Sequence, residues 1–173
     1  MQIAGIIHND TINGPGLRCT IFVQGCGHHC KGCHSPHTWS FTGGRTMSKD
    51  ELIKTVTSNK LDHGITWSGG DPLYQVEELA ELAEYFHHKS YHQILFTGFS
   101  IEEIVELCKK NHSYTAALCY MNILITDRFD ITKRSLELKF RGSSNQRVWV
   151  PHYNLNDDTL TFENVTEHWD LED

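Results

Sequence analysis

Short apolar segments alternate with amphipathic segments along most of the chain. The apolar segments predict five strands, each bounded by turn residues, at residues 3–7, 17–24, 65–68, 93–97 and 121–126. The first of them is expected to be an edge strand. In the second, Cys19, Ile21 and Val23 share one face and Thr20 and Phe22 share the other. A strand that is apolar on both faces is typical of a parallel sheet covered on both sides.

The amphipathic segments predict helices between these strands. Apolar residues at helical spacing indicate helices from residue 49 to about residue 60, over residues 76–88, and from residue 101 onward. Capping boxes mark where the first and the last of these helices begin, from Ser48 to Glu51 and from Ser100 to Glu103. Residues 114–120 carry no pattern that decides between a helix and a strand.

The alternation of strands and helices predicts an α/β fold with mainly parallel strands. A complete eightfold β/α barrel takes about 250 residues, and this chain has 173. We therefore expect an incomplete TIM-like barrel of five or six strands. The carboxyl ends of parallel strands lie at the same edge of a sheet. The segments that follow the strands, from Cys26, Gly69, Gly98 and Asp127, should therefore meet there.

The last part of the chain gives weaker signals. Residues 136–140 and 147–150 are candidate short strands on either side of a polar segment. After Pro151 the chain becomes polar and acidic. We therefore expect a single domain over residues 1–150 and an acidic, partly mobile extension over residues 151–173.

Composition excludes several classes of protein. The net charge is −7 with neutral histidines and there is no basic run, so direct binding to nucleic acid is not expected. No apolar stretch approaches the roughly 20 residues of a membrane span, and the amino terminus does not resemble a signal peptide. A cytoplasmic protein is therefore expected, in which six cysteines are more often metal-binding or catalytic than disulfide-bonded. The twelve histidines are scattered, and we expect most of them to face solvent.

Three of the cysteines, Cys26, Cys30 and Cys33, lie in a C-x3-C-x2-C pattern directly after the second predicted strand. A structural zinc ion needs four ligands, so a histidine of the same segment (His28, His29, His34 or His37) would have to complete such a site. An ordinary iron–sulfur cluster also has four cysteine ligands. Three thiolates on a [4Fe-4S] cluster would leave one iron open to a small molecule. Cys19 and Cys108 are expected to be core residues.

Three other segments have simple structural explanations when each is considered alone. In Gly69-Gly70-Asp71-Pro72, Asp71 could cap a helix that begins at Pro72. Gly98 could mark a turn at a strand end, and the polar segment at residues 141–147 could be a surface loop.

Taken together, these motifs resemble the radical S-adenosylmethionine (SAM) superfamily and, within it, the glycyl-radical activases that serve anaerobic ribonucleoside-triphosphate reductase. The resemblance runs in order from about residue 12 to residue 150. It rests on the segments at residues 13–16, 25–33, 38–39, 68–73, 97–99 and 141–147. Here Asp71 stands where the superfamily more often has glutamate, and His34 stands where an aromatic residue such as tyrosine is expected. Asp127-Arg128 replaces a usual Asp-Gly turn.

The resemblance implies a cofactor arrangement. Cys26, Cys30 and Cys33 would bind one [4Fe-4S] cluster, and SAM would chelate the fourth iron. SAM contacts would come from Gly32, Cys33 and His34 at the adenine side, from Gly69, Gly70 and Asp71 at the methionine end, and from Gly98.

The resemblance also implies a reaction and partners. A flavodoxin-like donor would reduce the cluster, SAM would be cleaved reductively, and a glycyl radical would form on the large subunit of the class III reductase. Activation of another glycyl radical enzyme, a small radical SAM enzyme such as a deazapurine-forming synthase, and a zinc-binding adaptor without turnover remain as alternatives.

Overall fold

The computed structural model describes residues 1–169 and contains eight strands within them. Their bounds in chain order are β1 Gln2–Asp10, β2 Arg18–Val23, β3 Arg45–Thr46, β4 Gly64–Gly69, β5 His92–Phe96, β6 Ile123–Thr126, β7 Arg147–Asn154 and β8 Thr159–Asn164. They form one sheet in the order β3-β1-β2-β4-β5-β6-β7-β8.

The sheet is mixed. Strands β2, β4, β5 and β6 pair in parallel in the middle. β1 and β3 are antiparallel on one side, and β7 and β8 are antiparallel on the other. The predicted α/β class is therefore confirmed, with parallel strands at the centre only. The curvature of an incomplete barrel is not confirmed and stays a prediction.

Helices connect the parallel strands, as the amphipathic pattern predicts. The connecting helices are α1 Lys49–Ser58, α2 Val76–His88, α3 Ile101–Lys110 and α4 His112–Leu118, and a further short helix, α5 Thr166–Trp169, follows β8. Both predicted capping boxes are present, because the side chains of Ser48 and Ser100 accept hydrogen bonds from the backbone N–H groups of Glu51 and Glu103. The undecided residues 114–120 lie mostly in α4.

The main core lies between the sheet and the helices. Ile21, Trp67 and Leu95, from adjacent parallel strands, are fully buried with Leu79 and Phe86 of α2. Cys19 is fully buried in this core, and the half-buried Cys108 packs against it, as predicted.

The opposite face of the sheet carries a second, smaller apolar cluster. Ile94, Ile125 and Val148 are buried there, and Phe140 and Trp169 pack against them. The chain between β6 and β7 and the segment after β8 therefore cover part of this face, while α2 covers the other. Helices therefore cover one face of the sheet, and mainly irregular segments cover part of the other.

Two predictions about strands outside the parallel centre were wrong. β1 is not the edge strand, because β3 pairs with Gln2 and Ile3. Residues 136–140 form turns and bends rather than a strand. Residue 150 lies inside β7 and β8 continues the same sheet, while the division into a domain over residues 1–150 and an extension over residues 151–173 stays a prediction. Residues 170–173 of the predicted extension lie outside the described residues.

Candidate functional site

The segments that follow four parallel strands surround one cavity of about 470 Å³. The segment after β2 contributes Cys26, Cys30 and Cys33 to its lining. β4 contributes its last residue, Gly69, and the segments after β4, β5 and β6 contribute Gly70, Gly98 and Asp127, respectively. The topology explains this meeting, because the carboxyl ends of parallel strands open at the same edge of the sheet.

The three cysteines of the cavity carry free thiols. All three line the cavity. Three thiols supply three of the four ligands that a tetrahedral zinc ion or an iron–sulfur cluster takes, so either group would need one further ligand.

The surroundings of these thiols are partly apolar and partly hydrogen-bonding. Burial raises the pKa of the Cys26 and Cys30 thiols, and hydrogen bonds from the backbone N–H groups of His28 and Phe129 act in the opposite direction. The backbone N–H of Ser35 donates to Cys33 Sγ at 3.3 Å. Such N–H donors also stabilise thiolates that bind metal.

The glycine turn after β4 lies directly against the cysteine segment. The Gly70 N–H donates to the carbonyl of Val23 at 2.8 Å, and the Asp71 N–H donates to the carbonyl of Gly25 at 2.9 Å. Gly69 has φ 95°, which favours glycine. A Cβ atom on Gly70 would lie 2.3 Å from the Gly25 carbonyl oxygen. Both glycines are therefore required by the close approach of two backbone segments.

The Asp71 carboxylate is fully buried behind the cavity and does not line it. It accepts hydrogen bonds from the backbone N–H groups of Leu73 at 3.0 Å and Gly98 at 2.9 Å. It also accepts from Thr97 Oγ1 at 2.8 Å and pairs with His28 Nε2 at 2.7 Å. The helix-cap interpretation of Asp71 is therefore right, but the same side chain also joins two other segments.

The role of His28 was missed in the sequence analysis, which expected most histidines to face solvent. Its side chain is only 4% exposed. Its ring lies 4.6 Å from the ring of Phe99 and 5.7 Å from that of Tyr74, measured between centroids. The sequence signal that could have indicated this burial is the position of His28 between Cys26 and Cys30, because a side chain there lies next to the strand ends.

The segment between β6 and β7 forms a second wall of the cavity. Its Phe129 ring lies 5.2 Å from the His34 ring. Its Ile131 is so close to Gly32, where φ is 77°, that a Cβ there would lie 2.9 Å from the isoleucine side chain. The absence of a side chain at Gly32 therefore allows Ile131 to approach, and Gly32 does not itself line the cavity.

The polar segment at residues 141–147 is a folded part of that wall. Gln146 Oε1 accepts from the backbone N–H groups of Gly142 and Ser143 at 2.8 and 3.1 Å.

Arg147 binds Asp127, whose φ is 78°, through two hydrogen bonds of 2.9 and 3.0 Å. The side-chain hydrogen bonds to Asp127 and then to Glu102 raise the pKa of Arg147. Side-chain bonding to Arg147 lowers the pKa of Glu102 to about 2.

The predicted cofactor residues fall into two groups. Cys33, His34, Gly69, Gly70 and Gly98 line the cavity, whereas Gly32 and Asp71 stand behind its wall. The roles of all seven as cofactor contacts stay predictions.

A second group of potential ligand atoms lies near the opposite end of β2, formed by His8, Cys19 and Asp62 within 4.8 Å of one another. His8 Nδ1 is hydrogen-bonded to Asp62 Oδ2. Burial, and then the charges of Asp62 and Asp10, raise the pKa of the Cys19 thiol to about 12. The thiol therefore keeps its proton at neutral pH, consistent with a core residue.

The helices within residues 1–169 are all too short or too polar to cross a membrane.

Comparison with known proteins gives a consistent result. The model of the 4Fe-4S single cluster domain family matches residues 12–149. A protein of Salmonella typhimurium is 33% identical over 147 residues, which cover 80% of this chain and 92% of that protein. A protein of Escherichia coli K12 is 32% identical over 147 residues, which again cover 80% of this chain and 92% of that protein. A protein of Enterobacteria phage T4 is 34% identical over 148 residues, covering 81% of this chain and 88% of its own length. All three are named anaerobic ribonucleoside-triphosphate reductase-activating protein.

Proposed function

Because this chain belongs to the family of anaerobic ribonucleoside-triphosphate reductase-activating proteins, with a 4Fe-4S single cluster domain, we propose that it is a radical SAM enzyme that generates a glycyl radical on that reductase. The observation that carries the proposal is the single cavity lined by three free cysteines and by glycines from the ends of two other strands.

The residues present fit a [4Fe-4S] cluster held by Cys26, Cys30 and Cys33. Three thiols supply three of the four ligands that such a cluster takes, and all three line the same cavity. Backbone donors such as Ser35 N–H would stabilise the thiolates. Because burial raises the pKa of Cys26 and Cys30 in the metal-free protein, cluster assembly must displace their protons.

The cavity volume of about 470 Å³ lies within the range of small-molecule sites. The backbone at Gly69 and Gly70 would bind the methionine end of SAM, because no side chain stands between that backbone and the cavity. His34 and Gly98 would contact the rest of the ligand. Asp71 would act from behind the wall, since its carboxylate bonds to donors of this chain.

A cluster held by Cys26, Cys30 and Cys33 would supply the electron, received from a flavodoxin-like donor, for reductive cleavage of SAM and hydrogen-atom abstraction from a glycine of the reductase. The chain's own residues bind and orient the reactants and exclude water. The reaction transfers an electron and a hydrogen atom, so it requires no general acid or base.

The reductase would close the open side of the cavity. Ile12 and Leu136 line the cavity and are 79% and 86% exposed. Large apolar side chains exposed at the edge of a site are typical of surfaces that bind another protein. This arrangement suits a substrate that is a protein segment.

The test is anaerobic reconstitution with iron and sulfide, followed by dithionite, SAM and chromatography for 5′-deoxyadenosine. We expect the product from the unaltered protein, none from Cys30→Ala, and an undiminished yield from Cys108→Ala, which alters a cysteine of α3 outside the cavity lining. Adding the reductase should then give the electron paramagnetic resonance (EPR) signal of a glycyl radical.

Two outcomes would contradict the proposal. A protein with a full cluster that yields no 5′-deoxyadenosine, with or without the reductase, would show that it does not cleave SAM. A colourless protein that binds one zinc ion tightly and excludes iron under anaerobic conditions would favour the adaptor function.

A further inference from the structure

We propose that His28 is a positioning residue that fixes the cysteine segment to the glycine turn and to the end of β5 through the Asp71 carboxylate. The inference rests on the proposed function and adds a determinant of how the SAM site and the cluster site are held in register. His28 is not a predicted ligand of either group.

The first observation is the burial of both partners. The side chain of His28 is 4% exposed and that of Asp71 is 0% exposed. His28 Nε2 lies 2.7 Å from Asp71 Oδ2, and because a carboxylate oxygen accepts, Nε2 is assigned as the donor. A hydrogen bond to a charged group that is shielded from water is stronger and more directional than an exposed one. This bond therefore restrains the cysteine segment more than a surface contact would.

The second observation is the number of segments that meet at one oxygen. Asp71 Oδ2 accepts from Thr97 Oγ1 at 2.8 Å and from the Gly98 N–H at 2.9 Å as well as from His28. Asp71 belongs to the turn after β4, Thr97 and Gly98 follow β5, and His28 lies in the segment after β2. One carboxylate oxygen therefore connects three of the four segments that form the cavity.

The third observation is the packing of the His28 ring. Its centroid lies 4.6 Å from that of Phe99 and 5.7 Å from that of Tyr74. On another side, a Cβ on Gly98 would lie 2.5 Å from the imidazole. The ring is therefore held closely enough to transmit a displacement of the turn to the backbone between Cys26 and Cys30.

Binding of SAM at Gly69 and Gly70 should therefore depend on this bond, since these glycines immediately precede Asp71. Without the bond, the backbone hydrogen bonds to Val23 and Gly25 would still join the turn to the start of the cysteine segment, but the part of that segment beyond Gly25 would lose its restraint to the turn. Residues that orient a metal site from outside its ligands typically change affinity or activity about 10–100-fold when replaced.

The experiment compares two substitutions of His28 in the anaerobically reconstituted protein. His28→Phe keeps an aromatic ring against Phe99 and Tyr74 but removes the donor. His28→Gln places an amide N–H near the position of Nε2 and keeps the donor. His29→Gln is the matched control, because His29 is exposed and its ring nitrogen contacts Gly27 within the same segment.

The readout is the EPR spectrum of the reduced cluster during titration with SAM, measured at equal iron content. We expect His28→Phe to need about tenfold more SAM for half of the spectral change, and His28→Gln to stay within about threefold of the unaltered protein. His29→Gln should titrate like the unaltered protein.

An equal titration midpoint for His28→Phe and the unaltered protein would overturn the proposal, and so would a His28→Gln midpoint as weak as that of His28→Phe. If His28→Phe does not hold a cluster, retention by His28→Gln supports the proposal, and loss in both variants overturns it. Failure of the proposed function gives a different result, because the unaltered protein with a full cluster would then show no response to SAM.

Discussion

The contact between Gly70 and Gly25 makes Gly70→Ala the most informative single substitution. A Cβ on Gly70 would lie 2.3 Å from the carbonyl oxygen of Gly25, 2.8 Å from its carbonyl carbon and 3.1 Å from its nitrogen. All three are backbone atoms, so no rotamer change can relieve the overlap. The same carbonyl accepts the hydrogen bond from Asp71 N–H at 2.9 Å. A methyl group would therefore push apart two segments that this bond holds together.

The expected cost follows from these distances. Ordinary carbon–oxygen contacts need about 1 Å more than the 2.3 Å available. Forcing an additional methyl group into a packed site typically costs about 1–3 kcal/mol. Loss of the Asp71–Gly25 hydrogen bond adds about 0.5–1.5 kcal/mol. We therefore expect Gly70→Ala to lower the free energy of unfolding by about 2–4 kcal/mol.

The assay is thermal and urea denaturation of the iron-free protein, which separates folding from cofactor binding. Gly5→Ala is the matched control, because Gly5 lies in β1 and a Cβ there would have no atom within 4 Å. Both substitutions reduce the entropy of the unfolded chain by a similar amount, worth about 0.4–1 kcal/mol in favour of folding. The difference between them therefore isolates the steric contact.

For a chain of this length, each kcal/mol lowers the melting temperature by about 2–4 °C. Gly70→Ala should therefore melt clearly below Gly5→Ala. Equal melting temperatures would refute the reasoning, because the two segments would then be able to separate at no cost. Gly70 could in that case be required only by a ligand.

Three further predictions concern the fold. Trp67→Phe should cost about 1–3 kcal/mol in urea denaturation, because the buried indole N–H donates to Gln93 Oε1 at 3.1 Å; a change below about 0.5 kcal/mol would contradict this. Ser100→Ala should cost about 1 kcal/mol through loss of the cap of α3, and Ser100→Asp, which can still cap, should cost a few tenths at most. Above pH 9 the Cys19 thiol loses its proton in the unfolded chain. In the folded protein it keeps the proton, because burial raises its pKa to about 12. Stability of the iron-free protein should therefore fall with rising pH, and Cys19→Ala should reduce that slope by about 1.4 kcal/mol per pH unit; an unchanged slope would contradict the assignment.

The strands and helices around the cavity could be predicted because their signals are local. An apolar run that ends at a glycine marks the end of a strand, as at Gly69. The pair of Ser48 and Glu51 marks the start of a helix whatever the rest of the fold is. By contrast, α4 is short and is capped by Asn111, whose side chain accepts from Ser113 N–H. A single turn or two of helix offers too few positions for periodicity to be read.

The errors near the end of the chain arise from the sheet as a whole. The apolar and charged alternation at residues 136–140 resembles a strand, but both sides of β6 are already occupied by β5 and β7. No local pattern contains that information. Similarly, the strand predicted over residues 147–150 continues in the structure to Asn154. Pro151 is tolerated in β7 because pairing with β6 ends at Trp149, so the missing N–H removes no hydrogen bond to β6.

The glycine turn shows most clearly what motif recognition leaves out. Asp71 stands where the resemblance places a longer carboxylate, which suggests a side chain that reaches a ligand. In the structure its carboxylate is instead buried and bonded to Leu73, Thr97, Gly98 and His28. A side chain that satisfies four donors behind the wall leaves the backbone to face the cavity. The sequence can indicate the residues that meet a cofactor, but the side chains that hold them in place are found only when the strand ends are brought together.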